Sequence, residues 1–333
     1  MLSLRTRRVT LGTLFAALLV AALAALPAAA APRKPAPPRK PNGQIAFARF
    51  NQDLKDTQVY VVNPDGSGQR LVQGPTDIGE GPRWFPDGAH IATGGSPALP
   101  GGGSRIINPD DLTYRDVGGQ DPNLFNPCGI PSPDGKLLLC ETFSQDGSQN
   151  GIHTVRASDG GGLAQVTSVP GGDDIPGGWA PKGKRIVFLR TTLDALFVVN
   201  TNGNHPRQIT PKDFRLSSSG DWSPQGNEII FSRHLTSDVH SSIWVVHANG
   251  TGLHEIKIQP ASACGGANAD PTAEGCNSPT WSPDGKKIAF VRSFNNDVDG
   301  EIYTVNEDGT GLKQVTHAPG SDSPDWGTHP PVR

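Results

Sequence analysis

Trp281-Ser282-Pro283-Asp284-Gly285-Lys286-Lys287-Ile288-Ala289-Phe290-Val291 is the stretch whose reading decides the fold. Pro283 sets the backbone for the first corner of a tight turn, Asp284 can bond to its own main chain, and Gly285 suits the left-handed position that other residues adopt only at a cost. The run behind the turn, Lys287 to Val291, is almost continuously apolar, as expected of a strand covered on both faces.

The pattern recurs at Trp84-Phe85-Pro86-Asp87-Gly88, Pro131-Ser132-Pro133-Asp134-Gly135, Trp179-Ala180-Pro181-Lys182-Gly183 and Trp222-Ser223-Pro224-Gln225-Gly226, and Trp326 stands as a last anchor. The intervals between anchors are 47, 48, 43, 59 and 45 residues, which is the period of a four-stranded propeller blade. A second signature, an apolar run closing on Asn-Gly or Asp-Gly, follows each strand. Its clearest copies are Val59 to Gly66, Leu196 to Gly203, Ile243 to Gly250 and Ile302 to Gly309, each a strong hairpin signal.

The phase of the repeat is informative. Residues Gln44 to Arg49 match the second strand of a unit, whereas Trp326 matches the first. The expectation is an all-β, six-bladed β-propeller with four-stranded blades. Its last blade is closed by the N- and C-terminal strands, with Asp325-Trp326 beside residues 44 to 72, which removes the exposed edges of an open array.

The Trp-Ser-Pro-Asp-Gly-Lys-Lys-Ile-Ala-Phe and Ile-Tyr-Thr-Val-Asn-Glu-Asp-Gly-Thr-Gly motifs resemble the WD40-like repeats of the TolB-like propeller family, over residues 43 to 327. The resemblance implies a propeller used for protein–protein contacts in the cell envelope. It also implies a small α/β domain ahead of the propeller, for which no room is expected here. The same propeller type resembles the N-terminal domain of prolyl-oligopeptidase-like enzymes, whose chemistry sits on a separate α/β-hydrolase domain. No Gly-x-Ser-x-Gly nucleophile elbow occurs in the chain.

Arg5, Arg7 and Arg8 precede an uncharged run rich in Leu and Ala that ends in Ala28 to Ala31, so residues 1–31 read as an export signal peptide. Thr6-Arg7-Arg8-Val9-Thr10-Leu11 also resembles a twin-arginine signal, which leaves the export route open. Residues 32–42, Pro-rich with four cations, read as an extended linker, and 328–333 as a C-terminal tail. The expected location is the periplasm, the cell envelope or the exterior, with membrane contact only through an uncleaved signal. A net charge of −3 with no basic cluster outside the signal and linker argues against nucleic acid as a partner.

In an exported chain the four cysteines are expected to pair. Cys128 and Cys140 flank one Pro-Asp-Gly turn, and Cys264 and Cys276 lie in one Gly/Ala-rich insertion, so the expected bonds are Cys128–Cys140 and Cys264–Cys276. Each closes a loop worth roughly 3 kcal/mol in the chain-entropy model. No catalytic residue, cofactor or metal is expected. His234, His240, His247 and His254 fall at spacings that put them on turns and surfaces. Asn295 to Glu301 has half of a calcium loop, with Asn306 where the closing Glu would stand.

Propeller sites form where the loops entering the inner strands converge on the channel. Counting four residues back from the anchors gives Glu80, Pro127, Ile175, Ser218, Asn277 and Asp322, with Asp77, Asn126, Asp173, Asp174 and Asp325 nearby. The ligand-binding set expected at the channel mouth is Glu80, Asn126, Asp174, Ser218, Asn277 and Asp322, an acidic opening suited to a cation or a basic peptide. The enlarged 257–279 connection, stapled by its disulfide, is the expected partner contact. The function so read is non-enzymatic binding of a protein, peptide or envelope glycan. The alternative is a metal-assisted lyase or hydrolase using the carboxylates at the mouth.

Overall fold

The computed structural model describes residues 40–74, 79–96, 98–119, 121, 123–169, 171–234, 240–264, 273–294, 300–318 and 320–332. The signal and most of the linker expected at the N-terminus, and the half calcium loop at 295–299, lie outside these residues. What is described is all β, with a single 3₁₀ turn at Thr191–Leu193.

The strand order follows the repeat. Ser321–Trp326, Ile45–Asn51, Asp56–Val62 and Arg70–Leu71 form one antiparallel sheet, so the C-terminal strand pairs with the N-terminal one. Ile45 stands opposite Trp326 and Ala48 opposite Asp322, as the phase of the repeat requires. The next sheet runs Glu80–Trp84, Ile91–Gly94, Ser104–Ile107, Tyr114–Val117. The third runs Cys128–Pro131, Leu137–Ser144, Gly151–Arg156, Ala164–Gln165, with Leu124–Phe125 added on Leu137–Ser144. The fourth runs Asp174–Trp179, Arg185–Arg190, Ala195–Asn200, Arg207–Gln208.

The remaining strands depart from a picture of separate four-stranded ladders. Asp221–Trp222, Glu228–His234, Ser241–His247 and His254–Glu255 join Ala273–Trp281, Lys287–Phe294, Glu301–Asn306 and Lys313–Gln314 in one eight-stranded sheet, so the described residues form five hydrogen-bonded sheets. The two halves meet through one parallel pairing, Ser241 with Gly275. The inner strand Ala273–Trp281 starts early, at the end of the long insertion, and its extra residues reach the neighbouring ladder.

The first strands of the repeats pack on one another in a closed series. Ser321–Trp326 lies against Glu80–Trp84, which lies against Cys128–Pro131, and so on through Asp174–Trp179, Asp221–Trp222 and Ala273–Trp281 back to Ser321–Trp326. Apolar layers fill the spaces between sheets. Phe188 and Trp179 join Leu139 and Ile152 in one, and Phe231 and Trp222 join Val187 and Leu196 in the next. Phe47, Phe188, Phe231 and Phe290 are fully buried at equivalent positions of the second strands. All but Phe47 lie in the apolar runs that follow the turns in sequence.

Both disulfides are formed, Cys128 with Cys140 and Cys264 with Cys276. Cys128 stands directly opposite Cys140 across a strand pair, as the flanked turn requires.

The C-terminal segment after Trp326 is docked. The His329 ring stacks on Trp84 with centroids 5.0 Å apart, and its Nδ1 lies 2.7 Å from the Gly88 carbonyl oxygen. Further on, the Asn63 side chain bonds both the N–H and the carbonyl oxygen of Val332, at 3.2 and 2.8 Å. The chain end thus ties the first sheet to the second on the side of the Pro-Asp-Gly turns.

Candidate functional site

A cavity of about 340 Å³ opens among the inner strands. Its polar lining comes from Arg83, Asp221, Ser217, Ser218, Ser278 and Ser323, and its apolar wall from Ile175, Leu189 and Leu216. Arg83 comes from Glu80–Trp84 and Asp221 from Asp221–Trp222, strands that are not neighbours in the closed series, so the cavity spans the channel.

Asp325 stands beside the cavity's Arg83, and Arg83, Asp221 and Asp325 each immediately precede a tryptophan anchor. A guanidinium nitrogen of Arg83 lies 3.9 Å from Asp325 Oδ1. Asp325 Oδ2 accepts the Trp84 backbone N–H at 2.7 Å. Asp221 Oδ2 does the same for the Trp281 N–H at 3.3 Å and accepts the Thr280 hydroxyl at 3.0 Å. In both cases a carboxylate on one inner strand holds the main chain of the next one round the ring. On the preceding strand Gly178 occupies the equivalent position, and a Cβ there would stand in ordinary contact with Asp221 Oδ1 at 3.5 Å.

Burial pushes the Asp325 carboxyl up to about 6, against the pull of Arg83 and the Trp84 N–H, with the Asp221 charge adding to the rise. Burial also raises Asp221, opposed by Arg83 and by its hydrogen bonds to Trp281 and Thr280. The guanidinium therefore faces carboxyls that are less fully ionised than exposed ones.

Of the six residues expected at the mouth, Ser218 lines the cavity, its Oγ accepting the Ser232 N–H at 2.8 Å. Asp174 is fully buried in a two-pronged ion pair with Arg190, at 2.8 and 2.7 Å. Asn277 accepts the Ser241 hydroxyl and donates to Ser293 Oγ at 3.2 Å. Asp322 is exposed and accepts the Ser278 hydroxyl at 3.3 Å. Asn126 is 7% exposed, and its Oδ1 has no partner among the described residues. Glu80 opens its strand opposite Gly94, and its side chain lies outside the described residues, as does Asp77.

The counting rule missed Arg83 and Asp221, each one residue before its anchor, and several inner strands, that of Arg83 included, are bulged. The register slips between Glu80 and Arg83, between Pro176 and Gly178, between Asn277 and Thr280, and opposite Ala46 to Ala48. One inserted residue reverses which side chains face the channel, so positions chosen by strict alternation turn into the walls. The signal that would have found them is a charged residue directly before a Trp anchor in an otherwise apolar strand.

A second feature sits on the third sheet. Phe125 is 54% exposed and stacks on Phe143, centroids 6.4 Å apart. Glu141, two residues before Phe143 and so on the same strand face, is pushed up to about 7 by burial and by the charge of Asp173. Among the described residues no three His, Cys, Asp or Glu side chains gather as a metal-binding set. His247 lies within 3.1 Å of Thr251 Oγ1 and His254 within 2.7 Å of the Gly252 carbonyl oxygen, both on the surface.

No protein-family model and no curated protein matches the sequence. Solved structures do. TolB from Acinetobacter baumannii aligns with a TM-score of 0.65 at 18% identity, over 85% of this chain and 66% of its own, so the chain spans just under two thirds of that protein. A TolB-type protein from Agrobacterium tumefaciens aligns at 0.59 and 20% identity, over 85% of this chain and 92% of its own. Oligogalacturonate lyase from Vibrio parahaemolyticus aligns at 0.53 and 13% identity, over 81% and 78%. At these identities the likeness is one of fold, and the fold is a TolB-like β-propeller.

Proposed function

We propose that the protein is an exported, non-enzymatic binding propeller that takes a protein, peptide or envelope-glycan ligand at the mouth of its channel, part of the ligand entering the cavity between the inner strands. The observation that carries this reading is the cavity itself. It has the volume of a small ligand pocket, an apolar wall and a few convergent polar groups. Two formed disulfides favour an oxidising compartment. We read the ring as six-bladed, with the eight-stranded sheet counted as two blades. Support comes from the series of six inner strands and from an apolar layer between each pair of neighbours.

The test is capture from an envelope extract by the whole protein and by Ser218→Tyr, which fills the cavity, with the Cys264–Cys276 loop left intact. Loss of the captured component in Ser218→Tyr is the expected result. Undiminished capture by a folded variant would remove the channel from the account. A lyase or hydrolase reading is favoured by one observation, the raised Glu141 carboxyl beside Asp173, the arrangement that acid–base chemistry needs. Turnover of an envelope glycan that disappears in Glu141→Gln would support it.

A further inference from the structure

We propose that the channel cavity is a carboxylate-binding site with Arg83 as its anion-binding group, an inference that rests on the cavity being the ligand site. Arg83 lines the cavity with its side chain 30% exposed. Among the described residues its guanidinium makes no hydrogen bond, and its ion pair with Asp325, at 3.9 Å, is too long to be one. A guanidinium carries five N–H donors in a planar fork that matches a carboxylate two-prongedly.

The neighbouring acids do not satisfy that fork; each turns its Oδ2 to other donors. Asp325 holds the Trp84 N–H, and Asp221 holds the Trp281 N–H and the Thr280 hydroxyl. Both lie back in the strands as ties to neighbouring inner strands. The molecule shows what an occupied fork looks like: Arg190 on Asp174 and Arg105 on Asp116 each make paired bonds of 2.7–3.1 Å. Arg83 is the inner-strand arginine left without such a pair, and it faces a space. Ser218 and Ser323 around that space add hydroxyls able to donate to a second carboxylate oxygen. At about 340 Å³ the cavity admits a chain terminus or one sugar ring. A peptide C-terminus and a uronic acid share the required group.

Calorimetry on the whole protein distinguishes them. The probes are N-acetyl-trialanine as free acid and as amide, and glucuronate against glucose. The expected result is binding of at least one acid probe, with its neutral counterpart at least tenfold weaker; the free acid alone points to a peptide end, glucuronate alone to a glycan. Arg83→Met should abolish this preference and Arg83→Lys retain part of it. Asp325→Asn, which keeps an acceptor for Trp84, should tighten acid binding severalfold. Equal binding of acid and neutral probes, no heat from any acid probe, or an unchanged preference in folded Arg83→Met would overturn the proposal. A loosening in Asp325→Asn would do the same. If these probes fail while Ser218→Tyr still blocks capture, the cavity stands as the site and only its carboxylate chemistry falls.

Discussion

The carboxylate of Asp325 accepts the backbone N–H of Trp84 at 2.7 Å, joining the last inner strand of the chain to the first complete sheet. The same tie recurs between Asp221 and Trp281, so an aspartate before the anchor is a joint between neighbouring inner strands. Replacing Asp325 by Ala leaves the Trp84 N–H without its acceptor, at a cost of about 2 kcal/mol, whereas Asp325→Asn keeps the bond and costs little. Urea unfolding of the two variants checks the difference. Equal loss in both would mean that the charge, not the tie, matters.

Stability against pH follows from the raised carboxyls. Glu141, at about 7, and Asp325, at about 6, have folded-state pKa values above those of the unfolded chain. Between roughly pH 4 and 7 the folded protein holds more protons at these sites than the unfolded one, so their contribution falls as pH rises through that window. His153, lowered by burial, acts in the opposite sense, since its contribution falls as pH drops below its unfolded value. The clean measurement is therefore a difference. The melting midpoint of Glu141→Gln relative to the parent should rise from pH 4.5 to 7.5, and a flat difference would contradict the assignment.

Close approach of two inner strands makes Gly177 sensitive. A Cβ there would lie 2.2 Å from the carbonyl oxygens of both Gly220 and Ser219, whereas one on Gly94 would meet nothing within 4 Å. Gly177→Ala is expected to cost about 2–3 kcal/mol and to disturb the cavity floor, with Gly94→Ala close to neutral. Thermal unfolding of the pair tests this, and comparable midpoints would refute it.

The docked end is the next expectation. Removing residues 328–333 deletes the His329 stack on Trp84 and the Asn63 bonds to Val332, and should lower stability by about 2 kcal/mol. His329→Phe should recover part of the loss by restoring the stack. Truncation without effect would show that the segment contributes nothing in solution.

Much of this was legible in the residues. The Pro-Asp-Gly turns located the strand pairs, the offset between Gln44 and Trp326 foretold the shared sheet, and Cys spacing around Asp134-Gly135 foretold the Cys128–Cys140 bond. The site was legible only in part. Ser218, expected at the mouth, lines the cavity, but Arg83 and Asp221 were not foreseen; for Arg83 the reason is a bulge, which is set by how neighbouring inner strands crowd around the channel and leaves no mark in a period-2 pattern. The burial of Asp174 was not legible, because its partner, Arg190, is brought to it by strand pairing across 16 positions. The docking of His329 depends on a stack with Trp84, far away in sequence, and no local pattern announces it.

The cavity exists only if the two ends of the chain close the ring, and Ala48 opposite Asp322 is the place to ask. Ala48→Cys combined with Asp322→Cys, purified under oxidising conditions and mapped by peptide mass spectrometry, should yield a bond between positions 48 and 322 in nearly every molecule, beside the two native disulfides. Free thiols at both positions in a folded protein would contradict the closure and the channel built on it.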